Sequence, residues 1–292
     1  MTPITPRIIR PGPGFKWPDG RRVAIIFNIA YEAFSDGKTS GVGPMGNVLA
    51  PGHYDTNAHS WASYGAVRGI HRLQGIAERH GLRTSVMTNG ILAERDAASV
   101  AALRRNGHEI VAHSYGQDMI PVYFKPDEER EQIRRNNALI LAACGERPLG
   151  WISPRGTGSM VTPQLLAEEG YLWHGDCNDD DVPHIAVYGE GKDARRIVGI
   201  PLTMDVNDMP SSVRYGNTPR AMLEAFQDAF DAMLSRETTT MFLDVTAHTH
   251  VYGRPAGAWV YDEIMAIVKR RPEVWTPTRE EMARWVLAQV PN

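Results

Sequence analysis

Several polar runs in this chain follow apolar stretches, and they carry side chains able to move protons or hold a cation. Asn28-Ile29-Ala30-Tyr31-Glu32 follows Val23-Ala24-Ile25-Ile26-Phe27, and His113-Ser114-Tyr115-Gly116-Gln117-Asp118 follows Glu109-Ile110-Val111-Ala112. Thr246-Ala247-His248-Thr249-His250 continues the apolar run Met241-Phe242-Leu243-Asp244-Val245. A carboxylate just past a buried strand suits metal binding, base catalysis or a structural pair with arginine. An imidazole, with an ordinary pKa of about 6.5, exchanges protons at neutral pH or ligates a metal. His248 and His250, two residues apart, fall on one side of an extended segment. Arg155, in Ser153-Pro154-Arg155-Gly156, offers a fork that fits a substrate carbonyl or carboxylate, or Glu32 itself.

The run Asp176-Cys177-Asn178-Asp179-Asp180-Asp181 concentrates acids that repel one another unless a cation, arginines or backbone N–H groups compensate. It fails as a calcium loop, having no glycine at the sharp turn and no closing glutamate. Asp179 and Asp180 are read as acceptors for a substrate's polar rim, with His250 as a pocket residue or a partner of His248. His53 and His59 belong to a long early loop, His71 and His80 to a helix surface, and His108 and His174 to structural positions. No serine elbow, P-loop, His-Glu-x-x-His helix or Gly-x-Gly-x-x-Gly turn is present, so serine-triad, zincin and nucleotide-cofactor chemistry lose their simplest support.

The elements that must position these groups alternate. Short apolar runs at Val23–Phe27, Ser85–Met87, Glu109–Ala112, Gly150–Ile152, Tyr171–Trp173, Ile197–Ile200 and Met241–Val245 read as strands. Between them, helical spacing links Val67, Ile70, Leu73 and Ala77, with Gly81 as the stop. A further helix follows Pro126, another carries Met222, Phe226, Phe230 and Met233 on one stripe, and a last one starts at Thr278 with Glu281 as a capping box. Repeated strand-helix alternation predicts an α/β fold with a parallel sheet, whose chemistry belongs at the C-terminal strand ends. The proline-rich residues 1–20 read as an extended arm, residues 21–292 as a single domain, and the Gly-rich segment 34–57 as a loop over the active face.

With 31 Lys plus Arg against 34 Asp plus Glu, the net charge of −3 provides no basic field for nucleic acid and no pull toward an acidic membrane. Two cysteines form no disulfide framework and fit a reducing compartment. The N-terminus lacks a signal-peptide run, so a cytoplasmic protein with a small-molecule substrate is expected; the arm suggests a homo-oligomer.

In this order, the strand-end residues resemble the polysaccharide deacetylase superfamily, more its branch of deacetylase-like allantoinases and cyclic imide hydrolases than its chitin or peptidoglycan deacetylases. The resemblance rests on Trp17-Pro18-Asp19-Gly20-Arg21 with Tyr31-Glu32, Tyr64-Gly65-Ala66-Val67-Arg68, Gly107-His108-Glu109-Ile110 with His113, Gly145-Glu146-Arg147-Pro148, Asp179-Asp180-Asp181-Val182-Pro183, and His248 ahead of Gly253-Arg254-Pro255. It spans residues 14 to 288 and implies a distorted (β/α)7-like barrel. It further implies hydrolysis of a non-peptide C–N bond in a small amide or cyclic imide, with deacetylation of an amino sugar as the alternative and a catalytically inactive binding protein as another. Glu32, His113 and His248 take the catalytic places. Superfamily deacetylases carry an Asp-Asp pair and a His-x-x-x-His pair around one divalent metal, zinc or similar. Here Ala30 stands for the base, Glu32 for the ligand acid and Gln117 for the second imidazole, which leaves Glu32, His113 and Gln117 as the implied, weakened metal set. The branch includes members thought to work without metal.

Overall fold

The computed structural model describes residues 3–39 and 41–289. Its strands are β1 (Arg7–Ile9), β2 (Val23–Tyr31), β3 (Ser85–Thr88), β4 (Glu109–Ala112), β5 (Gly150–Trp151), β6 (Trp173–His174), β7 (His184–Tyr188), β8 (Arg195–Gly199), β9 (Val206–Asn207), β10 (Met241–His248) and β11 (Val274–Trp275). Its helices are α1 (Thr56–Tyr64), α2 (Ile70–Arg79), α3 (Gly90–Arg95), α4 (Ala97–Arg105), α5 (Pro126–Cys144), α6 (Thr162–Glu168), α7 (Pro219–Ser235), α8 (Pro255–Lys269) and α9 (Arg279–Gln289). Neighbouring strands run β1-β7-β8-β6-β5-β4-β3-β2-β10-β9, with β11 also on β2. From β8 to β9 every pairing is parallel, whereas β7 on β8 and β1 on β7 are antiparallel.

All nine residues of β2 are buried because both faces of the sheet are covered. Alternation divides them. Val23, Ile25, Phe27, Ile29 and Tyr31 pack outward under the helices, while Ala24 and Ile26 join Met87, Val111, Ile152, Trp173 and Phe242 in an inner core that α9 closes with Met282, Ala283 and Val286. The same alternation sends Asn28, Ala30 and Glu32 inward, the last just beyond the C-terminal end of the strand. In register beside it, β10 places His248 opposite Ala30. Loop contacts and side chains, rather than a strand ladder, tie the segments flanking β7 and β8 to the lower half of β10. Thr203 donates from its backbone to Asp244 at 2.9 Å, and Phe242 N reaches the Asp181 carbonyl at 3.2 Å. Arg279 grips both Asp244 oxygens at 2.6 Å and the carbonyl of Ile200 at 3.1 Å. The sheet thus curls into a distorted barrel of mixed α/β type.

Some expectations shift in detail. The arm lies on the body, with Arg7–Ile9 adding an edge strand and Trp17 buried in the inner core, its indole donating to the Met241 carbonyl at 2.9 Å. The strand expected at Tyr171–Trp173 starts two residues later, and β1, β7 and β9 lack a visible pattern in the sequence. Val67, placed on an apolar helix face, is exposed. A π-helical turn at Gly65–Gly69 rotates it outward and turns Gly69 onto the chain at Thr249, where a Cβ would sit 1.8 Å from the carbonyl oxygen. The capping box of α9 forms as expected, Thr278 N to Glu281 at 3.0 Å and Glu281 N back to Thr278 at 3.3 Å.

Candidate active site

At the C-terminal end of the barrel, a cavity of about 350 Å³ is walled by Phe34, Val42, Trp61, Met87, Ile152, Leu202, Met204 and Met209. Its floor holds Glu32, His113, Gln117, Thr246, His248 and His250, with Arg155 and Asn207 also on its lining. The loop after β2 contributes Phe34 and Gly41 to Gly43, so the Gly-rich segment does reach over the cavity.

Glu32 is the centre. His113 Nε2 lies 3.4 Å and His248 Nε2 3.6 Å from its Oε1, and His250 Nε2 lies 4.0 Å from Oε2. All four side chains are buried. Burial alone would raise the Glu32 pKa, but the facing imidazoles, His248 foremost, hold it well below the usual carboxylate range. His248 Nδ1 meets Asp208 Oδ1 at 2.6 Å, while the other Asp208 oxygen accepts the backbone N–H groups of His248 at 2.8 Å and Tyr252 at 3.0 Å. Burial works against charging His248, yet the Asp208 and Glu32 carboxylates outweigh it and bring the imidazole up to about 9. For His250, burial dominates and pushes it down to about 4. At neutral pH the floor therefore holds a carboxylate, an imidazolium and a neutral imidazole.

These groups are set by backbone clamps. His113 Nδ1 sits 2.6 Å from the Ile152 carbonyl, which can only accept, so Nδ1 carries the hydrogen and Nε2 is aimed at the cavity. Asn89 accepts from Ala33 N at 2.9 Å and donates to the His113 carbonyl, tying the exits of β2 and β4 together. Ser114 and Arg155 hold left-handed backbone (φ 56° and 61°), a cost of about 1–3 kcal/mol each that the surrounding structure must offset. Edge-on contact with Trp61 at 4.9 Å and an Arg254 bond to the His250 carbonyl at 3.0 Å fix His250. His113 Nε2, Gln117 Oε1 and both ring nitrogens of His250 are nevertheless buried without a hydrogen-bond partner. Such groups are costly unless a ligand satisfies them.

The structure brings together Glu32, His113, Gln117, Arg155, His248 and His250. It does not bring in Asp179 and Asp180. Arg10 of the arm pairs with both, at 3.4 Å to Asp179, and they line a separate groove that shares Leu202 and Met204 with the cavity. Their charge is met by an arginine from far away in the chain, which acidic spacing alone cannot reveal. Arg155 faces the cavity but makes no bond to Glu32; among the described residues its hydrogen-bonded neighbour is Thr157, through the backbone. Of the tryptophans, Trp61 lines the cavity, whereas Trp151 is core and Trp259 lies outside on α8. Sequence reasoning missed Asp208 and Asn89. Asp208 lies beside a two-residue strand too short to show a pattern.

The donors fall short of a catalytic zinc site. Glu32 and His113 are strong ligands, and Gln117 has an unpartnered amide oxygen, but zinc of this kind takes three strong protein ligands. No further imidazole or carboxylate among the described residues brings a ligating atom within 4.8 Å of both Glu32 and His113.

The polysaccharide deacetylase family matches residues 65–173. A solved Puue allantoinase shares 26% identity with a TM-score of 0.81, covering 96% of this chain and 94% of that one. A Mycobacterium smegmatis structure assigned as a polysaccharide deacetylase shares 25% identity with a TM-score of 0.79, covering 99% and 95%. A peptidoglycan deacetylase of Helicobacter pylori is 22% identical over 77% of this chain and 85% of its own length. No helix among the described residues is long and apolar enough to cross a membrane.

Proposed function

We propose that this chain, which carries a polysaccharide deacetylase domain in a barrel similar to a solved allantoinase, hydrolyses a non-peptide C–N bond in a small amide or cyclic imide. The observation that carries the reading is the Asp208–His248–Glu32 array: an imidazolium and a carboxylate side by side, with protonation preferences pushed apart, in an apolar cavity. Such pairs divide acid and base work between them.

Hydrolysis requires a water to lose a proton, an oxyanion to be stabilised and the leaving nitrogen to gain a proton. Glu32 orients the water and takes its proton as the new C–O bond forms. His248, charged and held by Asp208, faces the same point from β10 and delivers a proton to the departing nitrogen. His113, its Nδ1 hydrogen held by the Ile152 carbonyl, presents Nε2 as an acceptor that helps Glu32 orient the water. Gln117 Oε1 and the unprotonated nitrogen of the neutral His250 accept from N–H groups of an imide or ureide ring, while the His250 N–H donates to a ring carbonyl. Arg155 takes a carbonyl or carboxylate at the rim. No step is routed through a metal, because the donors around Glu32 do not make up a full set. A cavity of about 350 Å³ lies near the lower end of small-molecule sites and favours a compact ring over a polymer segment.

The test is turnover of a panel of cyclic imides, hydantoins, allantoin and N-acetyl sugars, with and without chelator. Preference for the ring compounds, retained in chelator, is expected. Turnover of N-acetyl sugars alone would replace the reading with deacetylation. Thermal stabilisation by a ring compound without turnover would replace it with binding.

A further inference from the structure

We propose that Cys177, Asp179 and His184 form a binding site for a zinc-like divalent cation, separate from the Glu32 cavity and independent of the catalytic reading. Among the described residues they are the group of such side chains whose ligating atoms all lie within 4.8 Å of one another. A tetrahedral zinc with ligand bonds of about 2.0–2.3 Å holds its donors about 3.5 Å apart, so the set needs only a modest closure. A thiol, an imidazole and a carboxylate together suit a borderline-soft ion such as zinc better than calcium or magnesium, which prefer oxygen alone.

A second observation points to a ligand. His184, on β7, is 7% exposed, and its Nδ1 is buried with no partner. Its ring lies against Gly199, its register partner on β8, where a Cβ would stand 2.5 Å from Cε1 and Nε2. The glycine makes room for the imidazole at this place on the sheet. None of the three residues lines the Glu32 cavity, and Asp179 opens onto the groove between residues 178–181 and 201–205. Three protein ligands with solvent on one side leave the fourth position to water. Arg10 already holds Asp180 more closely than Asp179, so a cation on Asp179 leaves the arm attached.

Cobalt(II) titration of the intact chain tests this, read by thiolate-to-cobalt charge-transfer absorption. One equivalent is expected to develop the band. Cys177→Ser should abolish it, and Asp179→Asn, an exposed change with no folding risk, should weaken binding at least tenfold. Cys144→Ser and Glu32→Gln should leave the band intact. Absence of the band in the unmodified protein overturns the proposal. So does a band that survives Cys177→Ser, and so does one lost with Glu32→Gln while Asp179→Asn leaves it unchanged.

Discussion

The barrel encloses two buried charged clusters that look alike in composition and differ in how completely they are satisfied. Toward the N-terminal strand ends, Arg279 binds both oxygens of Asp244, and Asn28 donates to Asp244 at 2.8 Å. Beside them Glu109 accepts from Ser85, Trp173 and the backbone of Glu280 at 2.6, 3.0 and 3.1 Å. No side-chain N or O atom of Asn28, Ser85, Glu109, Asp244 or Arg279 lacks a partner. At the C-terminal ends, Glu32 and its three histidines leave four buried atoms unpartnered when Gln117 is included. A buried charge with every valence met holds the barrel closed; one with open valences is arranged for something that comes and goes.

Substitutions separate the two roles. Glu32→Gln should lower kcat by about 10²- to 10⁴-fold and cost less stability than a change in the lower cluster; a large stability loss with normal turnover would merge the two clusters into one structural class. Arg279→Met should do the reverse, costing about 3–5 kcal/mol of stability in urea unfolding because Asp244 is left buried and unpaired. If the variant is as stable as the parent, the lower cluster is not what closes the gap between β8 and β10.

Smaller effects appear in pH dependence. Burial raises the Glu109 carboxyl to about 7, with its donors opposing, whereas an unfolded glutamate titrates near 4.5. The protonated form favours the fold, so that stabilisation is complete below pH 4.5 and is lost as the pH rises through about 7. The loss is at most about 3 kcal/mol, and Glu109→Gln should flatten it in unfolding measured from pH 4.5 to 8. In the upper cluster the working His248 is the protonated one, so kcat should fall as pH rises through about 9. Asp208→Asn removes the nearer carboxylate charge and should move that limb down toward 7, a loss of roughly tenfold at pH 8. An unmoved limb would take the proton-donor role away from His248.

The difference between the clusters also marks how far the sequence is readable. Glu32, His113 and His248 stand out because each follows a strand whose apolar pattern is local, and alternation alone sends Glu32 inward beside its neighbours on β10. Arg279 offers no such signal: it reads as an ordinary helix-start arginine, and its burial depends on α9 plugging the barrel. Asp179 and Asp180 read as pocket acceptors until Arg10, 169 and 170 residues away, is seen to hold them. The allantoinase-like resemblance was carried by an ordered series of short motifs, and the barrel comparisons over nearly the whole chain agree with it.

By itself, then, the sequence determined the α/β class, the order of the seven apolar strands, and the catalytic candidates at strand ends, since hydrophobic periodicity and chain order are local properties. Tertiary structure alone decided that Asp208 charges His248, that burial keeps His250 neutral, and that Cys177 and His184 share a corner with Asp179. Those outcomes depend on distances between segments brought together only when the sheet curls, and both burial and Coulomb energies change steeply over a few ångströms.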